Sequence, residues 1–439
     1  MKLIKSCGAC AAQLPDLGAK QCSNCKTGYC GRSCQVQHWR EGGHDKLCKK
    51  IKKAGGAEQY YADKKCAEAI ALAVEECADD TKGQTCFICT EALHRKTKEG
   101  LVRGCACRGT AGFVHVSCLA EQAKIWVAEA EENNLGNDAL YERFRRWDTC
   151  SLCEQEYFGV VLCALGWACW RTYVGRPDGD EIQCHAINLL GNGLSAADRL
   201  EDELSAREAE LSTLRRLGGT EAEVLGVLGN LAITYSALGR PEALQMARDV
   251  YNGYLRLFGE ENKETLLGAN NYAKSLIDLR RFGEARSLLC KTLPVAQSVL
   301  GDNKDLTLWM RWNYAEALYK DEGATFDDLS EAVDTLAKTA QTARRVLGRS
   351  HPDAVSIKQS MQNAFAVLRA MASASEDPAV RLAIALHTAL CCEAVPELDD
   401  LRDLGFNGEA ARRVVALRAK LAATPAGATV DADASAVRA

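Results

Sequence analysis

The sequence lacks any long apolar run. Its most apolar stretch, YFGVVLCALGWACW (157–170), spans fourteen residues before Arg171, whereas a membrane-crossing helix needs about 20. The N-terminus, MKLIKSCGAC, also lacks the apolar segment of a secretory signal. We therefore expect no membrane helix, a location in the cytoplasm or nucleus, and a buried helix at 157–170.

An excess of positive charge is absent as well. The 439 residues carry a formal net charge of −5 at pH 7, which gives no reason to expect nucleic acid as a partner. The first 53 residues are locally basic, with eleven Lys and Arg against three acids. Their final run, KKIKK, is interpreted as the start of a solvated helix, with a weak non-specific contact to an anion as the alternative. No nucleophile stands with a base in a recognisable arrangement, so we predict no catalytic residue.

Cysteine, in contrast, is abundant, with 22 in the chain. Disulfides are rare in the reducing cytosol, so this number indicates metal binding. Cysteines outside the ligand patterns described below lie mostly in apolar helical contexts, where a reduced cysteine behaves as a small hydrophobe.

A first set of potential ligands lies within residues 7–48. It consists of four pairs, each separated by two or three residues, so that a tight turn or a helical turn can direct both side chains to one ion. The pairs are Cys7 with Cys10, Cys22 with Cys25, Cys30 with Cys34, and His44 with Cys48. Eight ligands suffice for two tetrahedral zinc sites, but spacing alone leaves open which pairs share an ion.

With YC-x-x-x-CQ-x-x-x-W (29–39) preceding the last pair, this set resembles the MYND zinc finger. The resemblance implies alternating pairs: Cys7, Cys10, Cys30 and Cys34 hold one zinc, and Cys22, Cys25, His44 and Cys48 hold the other. MYND fingers are protein-interaction modules that often bind proline-containing peptides, and Gln35 and Trp39 match positions that line their peptide groove. A role for Trp39 in the small core of the finger is the alternative. His38 falls outside the ligand pattern and is interpreted as a surface or packing residue.

A second set follows, in the order four cysteines, one histidine, three cysteines. Its members are Cys86, Cys89, Cys105, Cys107, His115, Cys118, Cys150 and Cys153. PHD fingers and RING-CH domains share this order. The C-x-C pair, the seven residues before the histidine, and the flanks CACRGTAGFVHVSCL and CSLCEQEYFG resemble RING-CH more closely. That resemblance implies one zinc on Cys86, Cys89, His115 and Cys118, and another on Cys105, Cys107, Cys150 and Cys153.

RING-CH domains characteristically act as ubiquitin ligases, which orient a charged ubiquitin-conjugating enzyme and need no nucleophile of their own. By the same resemblance, Ile88 contacts the conjugating enzyme. Two positions depart from the family pattern, because Gln122 stands where a tryptophan is frequent and Glu154 stands where active ligases often have a basic residue. The alternative function is a non-catalytic scaffold for protein assembly.

The chain beyond residue 180 is repetitive. Asn188, Asn230, Asn271 and Asn313 are spaced 42, 41 and 42 residues apart, and each unit has two helical apolar patterns. These units resemble the tetratricopeptide repeats of kinesin light chains. Four units and a closing helix at about 353–372 would form a superhelical solenoid whose groove binds peptides. The asparagines would either hydrogen-bond such a ligand or brace neighbouring turns.

We thus expect a mainly α fold, four zinc ions, and protein or peptide partners. The expected segments are a MYND finger at 1–53, a helical linker at 54–80, a RING-CH finger at 81–158, a joining helix at 159–179, repeats at 180–372, C-terminal helices at 373–420 and a disordered tail at 421–439. Residues 397–419 weakly resemble the first two helices of a ubiquitin-associated domain.

Overall fold

The computed structural model describes residues 7–10, 12, 14, 19–177, 179–349 and 351–374. These residues form sixteen α-helices, one short 3-10 helix and one two-stranded sheet, so the predicted mainly α fold class is confirmed. They belong to two compact units, residues 1–275 and 276–439. The resemblance at 397–419 and the predicted tail at 421–439 lie outside the described residues.

The first ligand set lies on a hairpin and two helices. Strands β1 (Lys20–Gln21) and β2 (Gly28–Tyr29) pair antiparallel, and helices α1 (Arg32–Arg40) and α2 (His44–Lys53) follow. Tyr29 and Ile51 are fully buried, and the other buried members of this small cluster are cysteines. An apolar core of this size cannot by itself stabilise a domain.

The segment predicted as a helical linker is helical but does more than connect. It forms α3 (Ala57–Glu76) and the single turn α4 (Ala78–Thr81). Cys66 and Ala73 on α3 are fully buried in the main core of the first unit, where α3 packs against α7 (Gly159–Tyr173).

Three further helical segments lie between His115 and Cys150 of the second ligand set: α5 (Val116–Glu132), α6 (Asn137–Phe144) and a 3-10 helix (Arg145–Trp147). Three helices pack on α7: α3, α5 and the next helix in the chain, α8 (Glu181–Ala196). Trp167 and Trp170 on α7 are each only 1% exposed, so the prediction of a buried helix at 157–170 is confirmed. Within the described part of the chain, no helix has the length and apolarity needed to cross a bilayer.

The repetitive region contains four successive pairs of helices in chain order, followed by a closing helix. The pairs in the sequence are α8 (Glu181–Ala196) and α9 (Leu200–Leu217), α10 (Glu221–Ala237) and α11 (Glu242–Phe258), α12 (Lys263–Asp278) and α13 (Phe282–Leu300), and α14 (Asp305–Tyr319) and α15 (Phe326–Val346), before α16 (Pro352–Ala374). The helices of the first, second and fourth pairs pack on each other. Ala232, Ala273 and Ala315 are fully buried, as expected where helices approach closely.

The recurrent L-G and F-G dipeptides mark helix ends. Gly218, Gly259 and Gly301 terminate the second helices of the first three pairs with φ values of 72°, 79° and 84°. This left-handed region is easily reached only by glycine. The capping box of Thr220 with Glu223 then begins α10.

Helices α7 and α8 approach backbone to backbone. A Cβ atom added at Gly193 on α8 would lie 2.7 Å from the carbonyl oxygen of Leu162 and 2.9 Å from the Cα of Cys163, both on α7. This contact joins the helix after the second ligand set to the first helix pair. An added Cβ at Gly193 would clash with main-chain atoms, which cannot move aside as a flexible side chain can.

We expect Gly193→Ala to destabilise the chain by about 3 kcal/mol, the upper range for overpacking a core. Gly229→Ala on α10 is the matched control, because its Cβ would meet only the Val250 side chain at 3.5 Å; the better helix propensity of alanine gives it a gain of up to about 1 kcal/mol. Urea unfolding measures both, and equal stabilities for the two variants would contradict the backbone contact.

Candidate metal centres

The sixteen predicted ligands come together in four groups of four. The groups are Cys7, Cys10, Cys30 and Cys34; Cys22, Cys25, His44 and Cys48; Cys86, Cys89, His115 and Cys118; and Cys105, Cys107, Cys150 and Cys153. Within each group the ligand atoms all lie within 4.8 Å of one another. The groups are those implied by the two family resemblances, with pairs alternating along the chain in both sets.

Three of the C-x-x-C pairs are presented by the same tight turn. In each, the residue after the second cysteine has a positive φ, and its N–H donates to the carbonyl oxygen of the first cysteine. The bonds are Lys26 to Cys22 (2.9 Å), Thr90 to Cys86 (2.8 Å) and Glu154 to Cys150 (2.9 Å), with φ values of 62°, 63° and 54°. This turn directs both sulfurs of a pair to the same side.

The first group joins the N-terminal segment to the hairpin. Cys30 follows β2 and Cys34 lies one turn later in α1, with 3.4 Å between their sulfurs, and the Cys10 sulfur lies 3.7 Å from that of Cys30. The N–H of Gly8 donates to the carbonyl oxygen of Gly28 at 2.8 Å, which holds the first pair against β2.

The second group is buried throughout. His44 and Cys48 lie one turn apart on α2; the Cys48 sulfur is 3.7 Å from that of Cys22, and Nε2 of His44 is 3.4 Å from the Cys25 sulfur. His38 stays outside the group. It is buried and its Nδ1 lies 3.0 Å from the Tyr29 hydroxyl, which agrees with a packing role.

In the third group, His115 faces its neighbours through Nδ1. That atom lies 3.3 Å from the Cys89 sulfur and 3.6 Å from the Cys118 sulfur. Its other nitrogen, Nε2, lies 3.4 Å from the carbonyl oxygen of Ala92. A histidine that ligates through one nitrogen and donates to a carbonyl through the other is the usual arrangement at zinc sites.

The fourth group depends on one glycine. The sulfurs of Cys107 and Cys150 are 3.8 Å apart. Gly112 lies against the C-x-C pair with a φ of 83°, and an added Cβ would be 2.6 Å from the Cys107 Cβ and 3.3 Å from the Cys105 sulfur. Gly112 belongs to the CACRGTAG motif, but nothing in the sequence alone predicts this contact.

The donor sets suit zinc. With Zn–S bonds of about 2.3 Å, a tetrahedral site places its sulfurs about 3.8 Å apart, close to the sulfur separations of 3.4 to 3.8 Å found here. A disulfide requires about 2.05 Å, and every described cysteine is free. Sets of four thiolates, or of three thiolates and one imidazole, are typical of structural zinc.

Protonation supports the same interpretation. The close contacts move the pKa values within a group apart. Hydrogen bonding with Cys30, and then with Cys10, raises the pKa of Cys34 to about 12, whereas hydrogen bonding with Cys105 lowers the pKa of Cys150 to about 4. Four thiolates cannot share so small a volume without a cation, since each charge opposes the next. A divalent ion displaces the protons, so its affinity must fall as pH falls.

Two exposed apolar side chains occupy matching positions of two turns. Ile88, the residue predicted to contact a partner, is 36% exposed between Cys86 and Cys89. Leu152, which was not among the predicted site residues, is 52% exposed between Cys150 and Cys153. The spacing of the last pair could have suggested it. Glu154, the residue after Cys153, forms an ion pair of 3.0 Å with Arg146. The guanidinium of Arg146 lies over the Trp126 ring.

The first finger exposes Trp39, which is 48% accessible. This exposure argues against the alternative that Trp39 belongs to the core. Gln35 lies one turn earlier on the same face of α1 and donates from Nε2 to the carbonyl oxygen of Gln21 on β1, at 3.4 Å. The two predicted groove residues thus share one surface beside the hairpin.

Residues 86–153 match the family model of the RING-variant domain (RINGv). The match includes all eight ligands of the second set and favours the RING-CH interpretation over the PHD alternative. It does not extend to residues 7–48, so the MYND assignment stays a prediction. No curated protein matches the chain.

Among solved structures, the chain is similar to BtubC (BKLC) from P. vanneervenii, with 14% identity over 72% of this chain and 95% of that one, and a TM-score of 0.35. It is also similar to the nearly identical TPR-like repeats of a putative kinesin light chain from Podosopora anserina, with 16% identity, 47% and 95% coverage and the same TM-score of 0.35.

We expect Gly112→Ala to remove one zinc equivalent from the purified chain, because its Cβ would displace the C-x-C pair. Gly109→Ala is the matched control: it lies in the same loop with a φ of 62°, but its Cβ would have no atom within 4 Å. The Gly109→Ala variant should retain its zinc, and its free energy of unfolding should fall by about 1 kcal/mol because alanine is strained at this positive φ. Elemental analysis distinguishes the two, and identical zinc contents would contradict the close approach.

Proposed function

We propose that the chain binds four structural zinc ions, two in each finger, through the sixteen residues of the four groups. The supporting observation is that each group brings four protein ligand atoms within 4.8 Å of one another, the number that a closed tetrahedral set requires. A closed set leaves no position for water or substrate, which is the mark of a structural rather than a catalytic zinc. The ions would supply the folding energy of the fingers.

We further propose that the second finger recruits a ubiquitin-conjugating enzyme and acts as a RING-CH-type ubiquitin ligase or ligase-like adaptor. The observation that carries this proposal is the pair of exposed apolar side chains, Ile88 and Leu152, on two ligand turns within the RINGv match. Apolar side chains at the centre of a small contact supply most of its binding energy. The finger would act by orienting a charged enzyme, since no residue here serves as a nucleophile.

One observation favours the scaffold as a second candidate. Glu154 occupies the position where active ligases often carry a basic residue, and its carboxylate is engaged by Arg146 at two distances of 3.0 and 3.1 Å. The local charge is therefore close to neutral where a cation would contact ubiquitin. A scaffold would still bind its partner through Ile88 but would not stimulate ubiquitin transfer.

For the first finger we propose a MYND-type peptide site formed by Gln35 and Trp39. An exposed indole ring offers a flat apolar surface to proline, and proline-rich segments lose little entropy on binding because they are already extended. The finger and the helical repeats would together recruit the proteins on which the assembly acts, in the cytoplasm or nucleus.

We expect Ile88→Ala to abolish ubiquitin chain formation in an autoubiquitination assay with a panel of conjugating enzymes, while zinc content stays unchanged. Truncating a central interface anchor costs at least about 2 kcal/mol, or about thirtyfold in affinity. Ile233→Ala on α10 is the control, since Ile233 is 42% exposed but lies in the repeats.

Unaltered chain formation by Ile88→Ala would refute the docking role. If the unsubstituted chain forms no ubiquitin chains with any enzyme of the panel, but binds one of them in an Ile88-dependent manner, the scaffold is the correct function.

We expect Trp39→Ala to weaken binding of a fluorescein-labelled decaproline peptide at least about tenfold, because the ring supplies most of the contact area. Val36→Ala is the control: Val36 is 40% exposed on the same helix but lies off the face of Gln35 and Trp39. Fluorescence anisotropy reports both. Equal loss in the two variants would assign the effect to α1 as a whole rather than to the indole.

A further inference from the structure

The first helix pairs enclose a groove whose lining contains none of the sixteen potential metal ligands. It has a volume of about 290 Å³ and is lined from α8, α9, α10, α11 and α12, all within the first unit. Its floor is apolar, with Val227, Val250 and Leu267, and three glycines on α10 and α12 leave it open. The space is sufficient for a long side chain and part of an extended backbone.

Three of the four regularly spaced asparagines, Asn188, Asn230 and Asn271, line the groove. The Nδ2 of Asn188 donates to the Glu210 carboxylate at 3.0 Å, and Oδ1 of Asn271 accepts from Asn270 at 3.3 Å. The Asn230 side chain has no hydrogen-bond partner among the described residues. Asn188 and Asn271 are thus braced by neighbours, whereas Asn230 offers both a donor and an acceptor to a ligand.

The lining is acidic. Glu210, Glu223 and Glu264 line the groove, and no lysine or arginine is among the described residues that do. Glu210 is compensated, because its carboxylate lies 3.3 Å from the buried guanidinium of Arg207. Neither Glu223 nor Glu264 forms an ion pair within the described part of the chain. About two negative charges therefore remain beside an apolar floor.

We propose that this groove binds an extended protein segment carrying lysine or arginine side chains. The two uncompensated carboxylates would pair with its cationic groups, the apolar floor would accept their methylene stems, and Asn230 would hydrogen-bond its backbone. The inference deepens the proposed adaptor function, on which it rests, by specifying the charge of a recruited partner. Like-charge repulsion by the same carboxylates disfavours an acidic segment.

The test uses the full-length chain and a fluorescein-labelled ten-residue peptide of alternating lysine and alanine, with a glutamate–alanine peptide as its counterpart. Glu223→Gln combined with Glu264→Gln should weaken binding of the basic peptide about tenfold at low salt, or about threefold per carboxylate. Glutamine can still complete the capping box with Thr220, so helix content should not change.

Glu260→Gln combined with Glu261→Gln is the matched control. It removes the same charge from the exposed turn between α11 and α12, outside the groove lining, and should change the affinity less than about twofold because salt screens distant charges. Asn230→Ala should weaken binding while leaving its salt dependence unaltered.

Three results would overturn the inference: no binding of the lysine peptide, equal binding of the glutamate peptide, or equal losses in the two double variants. Chain formation measured on the same samples separates this inference from the ligase proposal. Glu223→Gln with Glu264→Gln should leave autoubiquitination intact, and Ile88→Ala should leave peptide binding intact, so either idea can fail alone.

Discussion

The fold of the first third of this chain depends on four groups of potential metal ligands whose deprotonated forms would repel one another. Each group gathers four thiols, or three thiols and an imidazole, within 4.8 Å, and only a cation allows so many donors to lose their protons together. The first finger shows how much depends on this, because Tyr29 and Ile51 are the only buried apolar side chains besides cysteine in its described core cluster. In the proposed zinc-bound state, ligand bonds would replace a hydrophobic interior that the segment is too small to build.

The second finger differs, since it is mounted on a conventional core. Helix α7 packs with α3, α5 and α8, and Trp147, Trp167 and Trp170 are buried in the same cluster as Cys86, Cys105, Cys118 and Cys150. The backbone contact at Gly193 extends this core into the first helix pair. Ile88, the proposed docking residue, and the acidic groove thus belong to one compact unit, which suits the proposed adaptor.

Much of this was accessible from the sequence, for identifiable reasons. The spacing of the cysteine and histidine pairs predicted the sixteen ligands, and the family resemblances predicted how they group. The period of about 42 residues predicted the pairs of helices. Tertiary contacts were not accessible: α3 was interpreted as a linker because its burial depends on α7, and Gly112 matters only through its distance to Cys107. The groove charge was missed because Glu210, Glu223 and Glu264 are unrelated in sequence, and compensation of Glu210 by Arg207 requires the fold.

Native mass spectrometry of the purified chain, followed by alkylation of the unfolded protein without reduction, tests the central claim most directly. The account predicts a mass excess of four zinc ions per chain, lost in acid, and alkylation of all 22 cysteines once the metal is removed. Disulfide-linked peptides, or a chain that stays folded from residue 7 to residue 53 with fewer than two ions bound there, would contradict it.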